Sequence, residues 1–373
     1  MKPVVPPSTI GMLGGGQLGR YALMAAKVMG YRTMVLDPDP AAPAGRIADV
    51  HVVAGFDDEQ AVERFRQECA VVTTEFENPP AATLGQLERC TAVRPSAAAV
   101  AVAQDRVAEK RFLIDNGLPV GPYDVIDRLD APIRVGFPAR LKTARLGYDG
   151  KGQRVVRDAS EVRAAWMLIG GVTCVLERAL SLDLEVSVVC ARGVSGAFAA
   201  YPVAENSHVD GILDLTVVPA RISDDLAARA TGLALTIADA LDYVGVLGVE
   251  FFVVAGELLV NEIAPRPHNS GHWTIDVAQT SQFAQQVRAV CGVSLGDTSL
   301  RAGGAAMVNL LGDLWDRGEP AWGKALSDPR AALHLYGKSS PRPGRKMGHL
   351  TVWDEDPSTA ATRALDARRL LAD

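Results

Sequence analysis

Two carboxylates set inside apolar stretches are the first residues of this sequence that demand a chemical account. Glu250 lies in GVEFFVV and Glu262 in LLVNEIA, where a lone ionised carboxylate is costly unless it is paired, protonated or bound to a metal. Val249 to Val254 is β-branched and aromatic, Ala255 and Gly256 supply a tight turn, and Leu258 to Ile263 is apolar again, so a β-hairpin with one acid on each strand is expected. On a shared face the two carboxylates would lie within about 5 Å and repel by roughly 3 to 4 kcal/mol at an effective dielectric near 20. A cation between them removes that repulsion. Glu250, Glu262 and the side-chain carbonyl of Asn261 are hard oxygen donors that suit magnesium, which keeps waters and is completed by substrate phosphates. An ion pair with an arginine such as Arg266 is the structural alternative.

A second chemical stretch is FPARLKTARLGYDGKGQRVV, Phe137 to Val156. A short strand ends in Lys142 and a loop follows with Gly147, Gly150 and Gly152. Such glycines let backbone N–H groups converge on phosphate oxygens, and Lys142 and Lys151 add point charges. A surface hairpin would look similar but would not need Tyr148 and Asp149 between its glycines. Further on, a strand over Thr173 to Leu176 delivers Glu177, and Glu185 interrupts the apolar run LEVSVVCARG. Main-chain groups beside Glu177, followed by another acid, suit an adenine edge and a ribose. Each acid alone reads rather as a solvent-facing strand residue. His208, in AENSH, reads as a surface-loop histidine, and Asp105, Arg106 and Lys110 as a solvated helix face.

The elements that position these groups begin with alternating strands and helices. Ser8 to Leu13 leads into GGGQLG, a helix runs to Met29 with Gly30 beyond it, and Thr33 to Leu36 is the next strand. The strand His51 to Val53, a helix from about Asp58 capped by Asp57, and the strand Ala70 to Thr74 complete a parallel, doubly wound pattern. Gly14, Gly16 and Gly19 match a dinucleotide fingerprint, with Asp37 where a ribose-binding acid would stand. The same glycines also serve any turn where backbone approaches a helix or an anion. Glu75 and Glu77 end the following strand, where open α/β sheets bind ligands.

With 373 residues, two or three domains are expected, and 48% apolar with 22% charged residues is ordinary for a soluble enzyme. A net charge of −6 argues against a general nucleic-acid binder. The five cysteines are scattered without CxxC pairing, as in buried thiols of a reducing compartment. No run approaches transmembrane length and prolines occupy the place of a signal sequence, so a cytoplasmic protein without membrane or nucleic-acid partners is expected.

The order of Lys142, GYDGKGQ, Glu177, Glu185 and the Glu250/Asn261-Glu262 hairpin resembles the ATP-grasp superfamily. NEIAPRPHNSGHWT, GGGQLGR, TTEFENP, LYGK and PGRKMGH narrow the resemblance to the ATP-grasp ligases that carboxylate 5-aminoimidazole ribonucleotide in the two-step bacterial route of purine synthesis. It covers essentially the whole chain; Arg140 departs mildly, since relatives usually carry a small apolar residue there. The resemblance implies that ATP and bicarbonate form carboxyphosphate, which carboxylates the ribonucleotide and leaves ADP and phosphate. It implies that Arg106, Lys142, Gly147, Tyr148, Asp149, Gly150, Lys151, Gly152, Gln153, Glu177, Arg178, Ala179, Leu180, Glu185, His208, Asn261 and Glu262 hold ATP, and that Glu250 and Glu262 hold magnesium. Gln17, Leu18, Glu75, Arg266, His268, Asn269 and Ser270 would line the ribonucleotide cleft, with Lys338, Arg345 and Lys346 on its 5′-phosphate. Catalytic work would fall to Asp149, Lys151, Arg266 and Lys338, Asp149 managing the proton of the attacking amine and the Tyr148 to Lys151 loop closing over the site. A homodimer that passes its product to a separate mutase is also implied.

The expected fold class is α/β and α+β, an ATP-grasp fold. A doubly wound domain spans residues 1–104, a two-lobed ATP-binding domain 105–300, and a small lid-like C-terminal domain 301–373. A sibling ligase using formate and glycinamide ribonucleotide, a nicotinamide dehydrogenase and a non-catalytic ATP-binding module are the competing readings. Hairpin register decides which of the hairpin side chains share a face. A two-residue turn at Ala255-Gly256 pairs Val254 with Glu257 and turns Glu262 away from Glu250. A three-residue turn pairs Val254 with Leu258 and Glu250 with Glu262. The metal reading requires the second pairing, or an equivalent one-residue bulge, with Gly256 or a neighbour in an unusual conformation.

Overall fold

Short β-branched runs separated by amphipathic helices can bury both faces only as a parallel sheet between helical layers, and the chain opens with that arrangement. The computed structural model describes residues 2–147 and 152–371, so Tyr148, Asp149, Gly150 and Lys151 lie outside the described residues. Strands β1 (Thr9–Leu13), β2 (Arg32–Leu36), β3 (Val50–Val52), β4 (Val71–Thr74) and β5 (Ala92–Val93) form a parallel sheet of order β3-β2-β1-β4-β5. Helices α1 (Gln17–Val28), α2 (Glu59–Glu68), α3 (Ala81–Glu88) and α4 (Ala97–Ala103) cover it. The α2 cap is Asp58, which accepts from the Ala61 amide, and not Asp57 as expected.

The helical stretch after Ser96 is two helices. Ser96 caps α4, and Asp105 caps α5 (Arg106–Asp115) through the Val107 and Ala108 amides. The two helices part at Gln104. A four-stranded antiparallel sheet follows, of order β6-β9-β7-β8, built from β6 (Tyr123–Ile126), β7 (Ala139–Thr143), β8 (Gln153–Val156) and β9 (Cys174–Arg178), with α6 (Ala159–Leu168) on it. This is one lobe.

The other lobe is a large antiparallel sheet. It contains β10 (Leu184–Arg192), β11 (Phe198–Ala200), β12 (Ala204–Val209), β13 (Ile212–Val218), β14 (Gly245–Val254) and β15 (Glu257–Ala264), with α7 (Asp224–Ala240) packed on it and α8 (Thr274–Val277) and α9 (Gln282–Cys291) following the hairpin. The last segment supplies β16 (Gly304–Leu311), the short helix α10 (Trp322–Ala325), β17 (Ala331–Leu335), β18 (Lys346–Asp354) and α11 (Pro357–Arg369). β13 pairs with β16, giving the order β15-β14-β10-β12-β13-β16-β18-β17 with β11 against β10. The C-terminal segment is therefore no detached lid; it extends the sheet of the ATP-binding lobe. Asp356 caps α11, accepting from the Thr359 amide.

The same segment is sealed to the first domain by rings. Tyr21 of α1 lies 6.0 Å from His334 and 6.1 Å from Tyr336, and the buried Tyr336 hydroxyl and His349 Nδ1 are 3.0 Å apart. Three structural bodies thus close around one cleft.

Candidate active site

The hairpin decides the geometry of the cleft. Ala255 and Gly256 form a two-residue turn with φ of 50° and 78°, so Val254 pairs with Glu257, and the three-residue alternative is not adopted. Positive φ at both positions is what a tight hairpin turn needs. The register then shifts between Glu250 and Phe251. Phe251 pairs with Val260 and Glu250 with Glu262, leaving Asn261 as the extra residue of a bulge. The bulge restores the pairing that the turn alone would have destroyed.

Both acids and Asn261 line one cavity of about 690 Å³. Glu250 Oε1 lies 3.2 Å from His268 Nε2, and its Oε2 accepts from Asn261 Nδ2 at 3.1 Å. Burial pushes this carboxyl up, but His268, His208 and the Asn261 hydrogen bond together outweigh it and hold the group below the usual carboxylate range. Glu262 Oε2 pairs with Arg106 at 3.1 Å. The arginine considered as their structural partner, Arg266, instead pairs with Glu77 at 2.8 Å. Burial raises the Glu77 carboxyl, yet the guanidinium holds it below the usual range.

The antiparallel lobe closes the same cavity. It contributes Lys142, Gly147, Gly152, Gln153 and the run Glu177, Arg178, Ala179 and Leu180. The amides of Arg178 and Ala179 are engaged by the Pro122 and Pro138 carbonyls, which removes both from the donors available to an adenine edge. Lys142 lies 2.5 Å from Glu177 Oε2 and Lys110 3.0 Å from Oε1. Burial pushes Glu177 up, but the two ammonium groups more than offset it and bring the carboxyl to about 2 from 4.5. Because the folded value is the depressed one, the pair stabilises the fold above about pH 4.5 and this contribution, of order 3 kcal/mol, is lost as pH falls towards 2. Glu177→Gln is expected to flatten the loss of melting temperature between about pH 5 and pH 3. Parent and variant curves of equal slope would contradict the assignment.

From the large sheet come Glu185 and His208. His208 is not a loop residue: it sits in β12, with Nδ1 2.9 Å from Glu185 Oε2. Burial lowers its pKa, while the Glu185 contact and the charge of Glu250 raise it further, for a net upward shift.

A second cavity of about 410 Å³ is lined by Gln17, Leu18, Glu75, Arg266 and Asn269 of the expected ribonucleotide set. Six residues line both cavities: Glu77, Arg106, Gly147, Glu262, Arg266 and Asn269. Five expected residues change place here. Glu75 is buried and both its oxygens are occupied, accepting from the amides of Gly16 at 2.5 Å and Gly19 at 2.6 Å. Its carboxylate caps α1, so it shapes the cavity wall. Ser270 is fully buried, its Oγ 2.7 Å from Ser187 and 2.8 Å from His268 Nδ1, and it orients the histidine beneath the floor. Lys346 lines the larger cavity beside Glu250 and His208. Lys338 donates to the Lys346 carbonyl at 2.7 Å and Arg345 to the Ser340 carbonyl at 2.8 Å; neither lines either cavity.

The glycine-rich turn is explained by the same contacts. Gly14 has φ of 103°, and a Cβ on Gly16 would come within 2.5 Å of Glu75 Oε1. In a dinucleotide site the α1 amides would face a pyrophosphate; here Glu75 takes them. Asp37, the supposed ribose ligand, accepts from the Gly15 and Asp39 amides at 2.7 and 2.8 Å. The dehydrogenase reading fails on both counts.

Sequence reasoning did not single out Glu109 and read Lys110 as part of a solvated face, yet they are only 1% and 3% exposed. Arg106, Glu109 and Lys110 are spaced i, i+3, i+4, one face of a helix, and that spacing was the available signal. Among the described residues, one group of three or more His/Cys/Asp/Glu has ligand atoms close enough together for a metal: Asp276, His334 and His349. The His334 and His349 rings stack at 4.6 Å and 16°, so their in-plane lone pairs do not meet at one point. The group reads as packing, and no helix of the described residues is long and apolar enough to cross a membrane.

Comparison with known proteins matches this geometry. Residues 8–104 match the ribonucleotide synthetase preATP-grasp domain, 111–283 the ATP-grasp domain and 305–363 the phosphoribosylaminoimidazole carboxylase C-terminal domain. The chain is 41% identical to an N5-carboxyaminoimidazole ribonucleotide synthase of Bacillus subtilis, covering 93% of this chain and 92% of the relative. It is 44% identical to one of Brucella melitensis, covering 93% and 96%. The ADP complex of an N5-carboxyaminoimidazole ribonucleotide synthetase superposes with a TM-score of 0.92 at 40% identity, covering 98% of each chain. An Aspergillus clavatus enzyme in complex with ADP and 5-aminoimidazole ribonucleotide gives 0.86 at 28% identity, covering 97% of this chain and 99% of that one.

Proposed function

The chain belongs to the N5-carboxyaminoimidazole ribonucleotide synthase family of ATP-grasp ligases, and from that premise we propose how its residues divide the work. The enzyme carries out ATP-dependent carboxylation of 5-aminoimidazole ribonucleotide to N5-carboxyaminoimidazole ribonucleotide in purine biosynthesis. The observation that carries the division is the shared wall. Glu77, Arg106, Glu262, Arg266 and Asn269 face both cavities, so a group activated in one can be handed to an acceptor in the other without leaving the protein.

In this proposal ATP occupies the larger cavity, its purine end between Glu177–Leu180 and Glu185 and its phosphates towards Lys142, Arg106 and the glycine loop. A bicarbonate oxygen attacks the γ-phosphorus, forming a P–O bond as ADP leaves. The exocyclic amine of the ribonucleotide then attacks the carbonyl carbon of the carboxyphosphate, and phosphate leaves. Arg266, held rigid by Glu77, presents a fixed cation to these anions at the wall. His268, Asn269 and Gln17 orient the acceptor. Asp149, as acceptor of the amine proton, and Lys151 lie outside the described residues and stay part of the proposal. So do Lys338 and Arg345 at the 5′-phosphate, supported by the electrostatic action of Lys338 on Glu75 at the cavity wall.

Magnesium fits the donor set, since Glu250 and Glu262 pair across the bulge and the Asn261 side chain lies against Glu250. When bound there it would neutralise phosphate charge. The reading further takes the enzyme as a cytoplasmic homodimer whose product passes to a separate mutase, in line with the family resemblance and the five unpaired cysteines.

The division of cavities is tested by separating affinities. Lys142→Ala is expected to weaken ATP binding by about 10- to 100-fold, as for a lost charge-assisted hydrogen bond of about 1.5 to 3 kcal/mol, and to leave the KM for the ribonucleotide near the parent value. Asn269→Ala should shift the ribonucleotide KM more than that for ATP. Equal losses for both substrates in both variants would contradict the division.

A further inference from the structure

The bulge that brings Glu262 opposite Glu250 occurs on an edge strand, because β15 ends the order of the large sheet. Outward-facing backbone groups of such a strand have no ladder partner and must be met by something else. Val260 donates to the Pro119 carbonyl at 2.7 Å. In a regular strand the next outward amide would belong to residue 262; the extra residue of the bulge passes that orientation on to Ile263. There Glu109 Oε1 accepts from the Ile263 amide at 2.6 Å, and next to it Lys110 Nζ donates to the Asn261 carbonyl at 3.3 Å. Two consecutive α5 side chains therefore grip the backbone on both sides of Glu262. Both are almost wholly buried.

We propose that Glu109 and Lys110 are positioning residues that lock the bulge in β15 and hold the Glu262 carboxylate towards the two cavities. Resting on the reading of Glu250 and Glu262 as magnesium ligands, the inference adds how their register is enforced. α5 carries this function because its first residue, Arg106, also pairs with Glu262, so one helix face fixes backbone and side chain together. Lys110 extends the same constraint to the opposite lobe through Glu177.

The test measures magnesium coupling, the factor by which magnesium tightens ADP binding, by calorimetry with ADP alone and with ADP plus magnesium. A merely structural role would lower the melting temperature and leave that factor intact. Glu109→Leu, which removes the acceptor at similar volume, is expected to reduce the coupling by about 10-fold or more, the usual scale for losing a group that orients a metal ligand. Glu109→Gln keeps a carbonyl for the Ile263 amide and should stay within about threefold of the parent. Should Glu109→Leu fail to fold, Lys110→Met, which frees the Asn261 carbonyl, carries the same expectation. A folded Glu109→Leu or Lys110→Met enzyme with parental coupling overturns the inference, and so does a Gln variant as impaired as the Leu one. Glu262→Gln runs alongside. Parental coupling in that variant shows that the magnesium reading itself has failed, whereas its loss beside an unaffected Glu109→Leu shows that only the positioning role has.

Discussion

Glu262→Gln is expected to lower kcat/KM for ATP by at least about 100-fold, with little change in volume or fold. The side chain faces both cavities, pairs with Arg106 and stands opposite Glu250 across the bulge. Neutralising it removes a hard oxygen donor and leaves Arg106 without that counter-charge. Groups that only orient a metal ligand are worth about 10- to 100-fold, so a direct donor should cost at least the upper end. Steady-state kinetics over a range of magnesium concentrations checks this. A parental kcat/KM would mean that the hairpin acids hold no metal and serve only as ion pairs.

Arg266→Ala should be the most damaging change to both stability and turnover. The guanidinium is paired with the partly buried Glu77 on the wall between the cavities. Breaking one side of a fully buried pair costs about 3 to 5 kcal/mol, because the remaining charge is stranded in a poor solvent, and the lower end of that range is expected here. Removing both charges with Glu77→Leu/Arg266→Met is expected to recover most of the lost stability, since apolar replacements of buried pairs are often neutral. Turnover should not return. Thermal unfolding and ADP release measured on the same preparations separate the two roles. A double variant that regains activity with its stability would show that Arg266 is structural only.

The parts legible in the sequence are those encoded within a few neighbouring residues. The β-branched and apolar runs on either side of Ala255-Gly256 announce the hairpin, and the alternating strands and helices of the first hundred residues announce the parallel sheet. What stayed hidden depends on partners distant in the chain. The bulge at Asn261 is held by α5, roughly 150 residues earlier. Glu75 looked like a ligand because its strand ends at the cleft, and only the approach of the α1 amides reveals it as a cap. His208 looked like loop because AENSHV is too polar to announce a strand; β12 exists through its pairing with β10 and β13. The C-terminal segment looked separate because the pairing of Thr216 with Met307 that fuses it to the large sheet spans about 90 residues.

The central claim is that ATP turnover in one cavity is tied to an aminoimidazole acceptor in the other, and ADP release in the presence of magnesium measures it most directly. The account predicts that ADP formation rises strongly only when 5-aminoimidazole ribonucleotide and bicarbonate are both present, with one phosphate released per ADP. Glycinamide ribonucleotide with formate should leave the basal rate unchanged. Turnover supported as well by formate and glycinamide ribonucleotide, or unresponsive to the aminoimidazole ribonucleotide, would contradict it.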